Sequence, residues 1–309
     1  MGEYKGSIGR QLGMLRVQAS GLTGPRVVNV ELPRADIHYF HINTLQLQHG
    51  RGADSINVRS TSVPTTIYTH RGNDSVFISS TASIDRFHAQ STNFIAGYCA
   101  DLRAPLTIDL QQDSNRLFLS DRNGTGAAAI VWQNNLITGL GGAADIVYHA
   151  SNGNFGRGIG LWTSDFDDDI TIDTLHRTSA TQTTWTSINT GKGDDRVRVA
   201  LSPSDGDLSV CLEDGDDQLD NSKTWGRGIF AFGGNGDDEM HTGERKVRNP
   251  THSTASSVCV LQDVFFGDDG DVRSTKGDIA FGMAGPSDKF SLNSLVSFTA
   301  SSRGGATGH

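Results

Sequence analysis

The sequence predicts an all-β protein, built as a single-stranded β-helix (a solenoid) of about ten stacked coils. Three observations lead to this fold. Apolar residues occur in pairs two positions apart, which is the spacing of side chains on one face of a strand. Such pairs flank Gly-rich turns that end in Asp, and these units recur along the chain. No stretch carries apolar residues at helical spacing over three turns.

The Asp that closes each Gly-rich turn marks the successive units. The markers are Asp54, Asp74, Asn115 (a substituted marker), Asp145, Asp168, Asp195, Asp217, Asp238 and Asp288. They are separated by 20, 41, 30, 23, 27, 22, 21 and 50 residues. Because the gap of 41 residues equals about two units, we expect a further strand pair near 93–95. The gap of 50 residues leaves room for another near 258–266.

The strand before each turn is predicted from the residues nine and seven positions before the marker. These pairs, which we expect to face the core, are Leu45 and Leu47, Thr65 and Ile67, Leu106 and Ile108, Leu136 and Thr138, Ile159 and Leu161, Thr186 and Ile188, Leu208 and Val210, Ile229 and Ala231, and Ile279 and Phe281. Each unit offers few apolar side chains, so the units must stack to bury them.

The strand after each turn is predicted from the residues two and four positions after the marker. These pairs are Ile56 and Val58, Val76 and Ile78, Leu117 and Leu119, Val147 and the weaker His149, Ile170 and Ile172, Val197 and Val199, Leu219 and the weaker Asn221, Met240 and the weaker Thr242, and Phe290 and Leu292. A β-sandwich is the alternative fold, since it also has short strands and frequent turns. A sandwich does not require the same offsets in successive units, so the β-helix is favoured.

The same pattern divides the chain into three parts. Residues 1–44 are predicted to form an N-terminal cap with the first irregular coils, residues 45–293 the repeat β-helix, and residues 294–309 a polar tail or linker. The longest gap between markers predicts an insertion near 243–270 within the β-helix.

Composition and charge argue against several classes of function. The net charge of −9 disfavours nucleic-acid binding, because phosphate contacts need clustered Lys and Arg. No apolar run approaches the ~18 residues that a membrane-spanning helix requires, so no membrane span is expected. The first 19 residues lack the apolar segment of a signal peptide; we expect either that the protein is not exported by that route or that the sequence is a segment of a longer chain.

The acidic turns resemble those of a known family of repeats. They read GKGDD at 191–195, DGDD at 214–217 and GNGDD at 234–238. These are similar to the G-x-G-x-D turns of RTX, or haemolysin-type, calcium-binding repeats. The longer unit, two short strands around one such turn, looks like the repeats of very large secreted surface proteins and adhesins. The resemblance extends from Leu45 to about Asn293 and is closest from Ser187 to Thr242.

The resemblance implies calcium as a cofactor, because turn aspartates and carbonyls of successive RTX coils bind calcium between them. The matching positions are Asp168, Asp194, Asp195, Asp216, Asp217, Asp237 and Asp238. This chain has one such turn per coil where the family has two, so half of the calcium cage is missing. The alternative is that each Asp accepts hydrogen bonds from turn amides. That interpretation is favoured for Asp54 and Asp74, and both stay open for the later turns.

These features predict a non-catalytic structural or adhesive module of a larger extracellular or cell-surface assembly. The expected partners are neighbouring modules or copies of the same protein. Glycans are a further expected partner if the tryptophans form an outward sugar-stacking surface made of Trp132, Trp162, Trp185 and Trp225. The alternative is a β-helical lyase, epimerase or hydrolase acting on polysaccharide, because such folds also carry enzymes. No catalytic residue is assigned, since abundant Asp makes any carboxylate pair uninformative.

Overall fold

The computed structural model describes residues 15–21, 24–30, 42–82, 94–176, 184–202, 204–224, 229–236, 238–241, 273–274 and 291–292. Every regular element in these ranges is a β-strand, which confirms the all-β class. The strands are β1 (Leu15–Gly21), β2 (Gly24–Val30), β3 (Ile42–Gln48), β4 (Ser55–Val58), β5 (Thr65–Tyr68), β6 (Ser75–Ile78), β7 (Leu106–Asp109), β8 (Gln112–Ser114), β9 (Arg116–Ser120), β10 (Ala129–Gln133), β11 (Leu136–Thr138), β12 (Ile146–His149), β13 (Asn152–Asn154), β14 (Ile159–Trp162), β15 (Asp169–Ile172), β16 (Trp185–Asn189), β17 (Arg196–Val199), β18 (Asp207–Asp214), β19 (Gln218–Asp220), β20 (Ile229–Asn235), β21 (Glu239–His241), β22 (Arg273–Ser274) and β23 (Ser291–Leu292).

The strands form two large sheets and one small one. The larger sheet has fourteen strands in the order β2-β1-β3-β5-β7-β12-β11-β10-β15-β17-β19-β21-β22-β23. The second sheet has seven strands in the order β20-β18-β16-β14-β9-β6-β4, and all of its neighbours are parallel. Strands β8 and β13 pair separately. A sheet of seven parallel strands differs from the antiparallel sheets of the β-sandwich that was the alternative prediction.

From β3 to β9 the chain passes back and forth between the two large sheets. Strands β3, β5 and β7 belong to the larger sheet, and β4, β6 and β9, which follow them in turn, belong to the seven-stranded sheet. The same alternation continues from β14 to β21. Consecutive strands of one sheet are therefore joined through a strand of the other, which is why they can run parallel.

The predicted inward residues line up across neighbouring strands. In the larger sheet Leu45 pairs with Thr65 and Thr65 with Leu106. In the seven-stranded sheet one row is Val58, Ile78, Leu119, Leu161, Ile188, Val210 and Ala231, all buried. These residues belong to one hydrophobic cluster that extends from Leu45 to Ala231. Rows of stacked apolar side chains make this core continuous.

The prediction is wrong for the unit around Asp145. Residues Leu136, Thr138, Val147 and His149 were expected in the core, but they are only half-buried. Their sequence neighbours Ile137, Ile146 and Tyr148 are fully buried instead. The reason is that β10, β11 and β12 form an antiparallel meander, which shifts the inward set by one residue. Asn134, with φ of 31°, lies in the two-residue connection from β10 to β11.

The uniform register predicted for all units is also wrong. Up to Asn115, the strand before each marker lies in the larger sheet; from Asp168 onward it lies in the seven-stranded sheet. Accordingly β14, which precedes Asp168, pairs with β9, which follows Asn115. Between β9 and β14 the chain adds the three strands of the meander to the larger sheet. The markers after the meander therefore follow strands of the seven-stranded sheet, whereas those before it follow strands of the larger sheet.

The structure describes only parts of the regions predicted for the two ends of the chain. Strands β1 and β2, inside the predicted cap, form an antiparallel hairpin that pairs with β3. The predicted insertion at 243–270 and the tail at 294–309 lie outside the described residues, as do the extra strand pair at 258–266 and marker Asp288. Backbone pairing continues as far as β22 and β23.

Candidate functional site

The marker residues stack into two rows at opposite ends of the strands. Asp54, Asp74 and Asn115 occupy the turns that lead from the larger sheet to the seven-stranded sheet. The turns that lead back to the larger sheet contain Asp168, Asp195, Asp217 and Asp238. We call these the first and second aspartate ladders. The two ladders follow from the change of register at the meander.

Each ladder is joined by hydrogen bonds from backbone amides to side-chain Oδ1 atoms. In the first ladder the amide of Asp54 donates to Asp74 (2.7 Å), and that of Asp74 donates to Asn115 (3.0 Å). In the second ladder the bonds run from Ala128 to Asp168 (2.6 Å), Asp168 to Asp195 (2.8 Å), Asp195 to Asp217 (2.8 Å) and Asp217 to Asp238 (3.2 Å). Each marker thus connects its own turn to the turn before it.

Glycine is required inside these turns because successive turns touch. Gly215 has φ of 153°, and a Cβ atom there would lie 1.9 Å from the carbonyl oxygen of Gly193. Gly72 and Gly236 have the same relation to the turns before them, at 2.1 and 1.9 Å. No side chain fits at such distances, and the backbone conformation favours glycine as well. The close stacking of the turns therefore accounts for the glycine of the Gly-x-Asp pattern.

The outer carboxylates form a second set of contacts on the solvent side. Oδ1 of Asp167 accepts the amide of Asp194 (2.9 Å), and Oδ1 of Asp194 accepts the amide of Asp216 (3.0 Å). All three residues are exposed. Asp237, the remaining outer residue of the predicted calcium set, lies outside the described residues.

The inner carboxyls are buried, and burial raises their pKa values. Asp195 is 1% exposed and Asp217 is 0% exposed. Burial, the largest cause, raises the pKa of Asp195 to about 7 and that of Asp217 to about 8. Negatively charged neighbours, Asp195 and Asp238 in the case of Asp217, add to the increase. Burial likewise raises the pKa of Asp74 to about 7.

Two inner carboxyls of the second ladder, those of Asp195 and Asp217, each have one oxygen without a hydrogen bond from the described residues. The Oδ2 atoms of Asp195 and Asp217 are buried and have no hydrogen-bond partner within the described residues. Thr190, next to Asp195, donates its hydroxyl proton to the carbonyl of Leu212 (2.6 Å) instead. A buried carboxylate oxygen without a donor is unfavourable, and protonation relieves the cost.

Asn115 shows what a donor at this position contacts. Its Oδ1 accepts the ladder bond, as the Asp residues do. Its Nδ2 donates to the carbonyl oxygens of Leu110, Gln112 and Asp113, at 3.2, 3.0 and 3.3 Å. In this turn the second side-chain atom therefore meets hydrogen-bond acceptors, and an amide satisfies them.

The structure brings four of the predicted calcium ligands together in one row. Asp168, Asp195, Asp217 and Asp238 do form one row, but each Oδ1 accepts a backbone amide. Two carboxyl oxygens of Asp168 are further bonded to Ser164. Within the part of the chain that the structure describes, no group of three His, Cys, Asp or Glu side chains could hold a metal ion. The hydrogen-bonding alternative describes these contacts.

Two polar residues at the edge that carries the second aspartate ladder were not predicted from the sequence. Asp121 is buried, and its Oδ1 accepts the amide of Cys99 at 2.6 Å. Burial raises its pKa to about 6. Arg122 bridges Asp165 (3.4 Å) and Glu213 (2.9 Å) on two later turns. Their turn lacks the Gly-x-Gly-x-Asp pattern, and Arg122 and Glu213 are 91 residues apart, so no local signal marks them.

The predicted sugar-stacking surface is wrong for the two tryptophans whose burial decides it. Trp132 is 0% exposed, and its indole donates to the hydroxyl of Tyr148 (2.8 Å). Trp162, 7% exposed, packs edge-on against Phe94 and Phe118. Trp185 is half-buried, and Trp225 lies outside the described residues. An aromatic platform for sugars needs exposed rings, which Trp132 and Trp162 do not provide.

Comparison with known proteins gives no match, whether to a family model, a curated protein or a solved structure. Among the described residues, no helix is long and apolar enough to cross a membrane.

Proposed function

We propose that the chain folds as a β-helix of coils that each contribute one strand to either large sheet. The alternation of consecutive strands between the sheets supports this winding, as does their parallel register. The continuous core between the sheets is what stacked coils would bury.

On this fold we propose a non-catalytic structural module of a larger extracellular or surface assembly. The observation that carries this proposal is the pair of aspartate ladders, because their side chains connect one turn to the next. The inner acidic groups that would be candidates for chemistry are thereby used to hold the stack. The module then acts by its stiffness, keeping its shape and presenting its loops to neighbouring modules or copies.

We further infer that the inner aspartates hold the turns as neutral carboxylic acids near neutral pH. Protonation would give Oδ2 of Asp195 and Asp217 the donor that Nδ2 of Asn115 supplies in the first ladder. It would also remove the repulsion between stacked carboxylates. Calcium at the acidic turns is the competing hypothesis, since a cation would balance the same charges.

The experiment is thermal melting of the full chain at neutral pH with EGTA and with added calcium. A proton-held ladder gives equal melting temperatures, because an ion stabilises only what binds it in the folded state. A melting temperature that falls in EGTA and recovers with calcium would replace our interpretation by the calcium site. Asp195→Asn serves as the matched variant, since it removes a calcium ligand but keeps the ladder acceptor.

The enzymatic alternative is tested separately with the same protein. Neutral and acidic polysaccharides are incubated with the chain, and new reducing ends and unsaturated products are measured. Our proposal expects none above the rate of a heat-denatured sample. Turnover that survives purification and depends on folded protein would contradict the structural role.

A further inference from the structure

A cavity of about 350 Å³ lies at the edge that carries the first aspartate ladder. Its lining residues are Gly50, Arg51, His70, Arg71 and Gln112, which belong to three successive turns. The amide of Gly52 donates to the carbonyl of Arg71 (2.7 Å), and that of Gln112 to the carbonyl of His70 (3.0 Å). These backbone bonds fix the stacking of the turns, so the two arginines emerge one strand spacing apart.

The polar side chains of this cavity are mainly hydrogen-bond donors. Nε of Arg71 donates to Oε1 of Gln112 (2.7 Å), which occupies the only acceptor of that carboxamide. The side-chain NH2 of Gln112 and the terminal nitrogens of Arg71 then have no partner among the residues that the structure describes. Arg51 is exposed and makes no hydrogen bond or ion pair with any described residue.

No carboxyl group of the described residues forms an ion pair with Arg51 or Arg71. Asp74 is fully buried, and burial raises its pKa to about 7. Asp113, on the third turn, accepts the amide of Gly72 with its Oδ2 (2.9 Å). His49, the residue before Gly50, is buried, and burial followed by the charge of His70 lowers its pKa to about 4. Two exposed arginines without an ion-pair partner among the described residues therefore line the same cavity.

The backbone at the cavity is also unusual. His70 has φ of 67°, in the left-handed region that only a few per cent of residues other than glycine adopt, histidine more often than most. Such conformations are found preferentially at functional sites. The cavity volume falls at the low end of the range for small-molecule sites.

We propose that this cavity binds an oxyanion group (a carboxylate, sulfate or phosphate) between the guanidinium groups of Arg51 and Arg71. Planar guanidinium groups bind such anions through paired N–H donors. The imidazole of His70 and the side-chain NH2 of Gln112 complete a set of donors around the anion. The anion is either free in solution or carried by an acidic glycan. The site stands on the turn geometry and does not depend on the proposed structural function.

The test is calorimetric titration of the full chain with sodium phosphate, at constant ionic strength set by sodium chloride. We expect saturable binding at one site. Arg51→Gln and Arg71→Gln should each weaken it by about tenfold or more, since each removes charge-assisted hydrogen bonds. Arg103→Gln is the control, because that side chain is exposed and bound only to Asp101; it should bind as the parent chain does.

The outcomes separate the proposal from a general charge effect. Absence of saturable binding, or equal weakening in Arg103→Gln, would overturn it. If a Gln variant melts early, Arg51→Lys and Arg71→Lys take its place. They keep the charge but lose the paired donors, so weaker binding is expected and unchanged binding contradicts the site. A sulfated disaccharide that binds more tightly than phosphate, with the same losses, assigns the anion to a glycan; equal binding assigns it to a free anion.

Discussion

At the scale of single residues, the inner aspartates are acids whose folded environment favours the neutral form. Asp217 has its Oδ1 bound to the amide of Asp195, its Oδ2 buried, and a pKa raised to about 8 mainly by burial. A carboxyl in an unfolded chain titrates near its ordinary value of about 4. The folded state therefore binds the proton more tightly than the unfolded state does. Stability from this group is fully present below about pH 4 and is lost as the pH rises towards 8.

We expect Asp217→Asn to flatten the pH dependence of stability between about pH 4 and pH 8. The free energy of unfolding of the parent chain should fall across this range, by at most about 1.4 kcal/mol per pH unit for each such group. Asparagine keeps the Oδ1 acceptor and does not titrate, as Asn115 shows in the first ladder. Urea denaturation at several pH values measures the slope. Asp216→Asn, an exposed neighbour, should leave the slope nearly unchanged; an equal effect of both variants would disprove the ladder origin.

At the scale of elements, the regular strands were predictable and the meander was not. Alternating apolar residues such as Leu45 and Leu47 define one strand face whatever the partner is. The meander depends instead on the turn at Asn134 and Asn135, which folds β11 back and moves Ile137 into the core. Asp145 lacks the Gly pattern of the other markers, but the same offsets applied to it predict strands one residue out of phase. Contacts such as that of Arg122 with Glu213 depend on three-dimensional stacking and leave no local signal.

The corrected register predicts that alanine substitutions at two neighbouring residues of β11 lower the stability by unequal amounts. Ile137→Ala should lower the free energy of unfolding by about 2–5 kcal/mol, because its side chain is fully buried. Leu136→Ala should cost roughly 1 kcal/mol or less, since this side chain is only half-buried. Midpoints of urea denaturation compare the two variants. A larger loss for Leu136→Ala would restore the register inferred from the sequence.

At the scale of the whole molecule, contacts are made mainly between neighbouring strands of each sheet. Strand β14 pairs with β9 and β16, and strand β4 lies at the far edge of the same sheet. A perturbation in such an arrangement should spread by way of adjacent strands and weaken with distance.

Leu161→Ala tests this behaviour, because Leu161 is fully buried in β14. The substitution should cost about 2–5 kcal/mol. In native-state amide exchange, β9 and β16 should exchange faster than in the parent chain, and the edge strands β4 and β20 should change least in this sheet. Thr171→Ala, at a half-buried position of β15, is the control and should change exchange little. Equal acceleration in every strand would indicate a single cooperative unit instead.

The meander also decides where the chain can accept new sequence. Before it, the aspartate ladder holds one edge, and residues 59–64, 79–82 and 94–105 lie at the other. After it, the held edge is the opposite one, and residues 173–176, 200–202 and 221–224 lie across from the ladder. Lengthening a loop opposite a ladder leaves the stacked turns intact. Gene-level insertions, or peptides grafted by design, would therefore be displayed on one side of the first half and on the reverse side of the second.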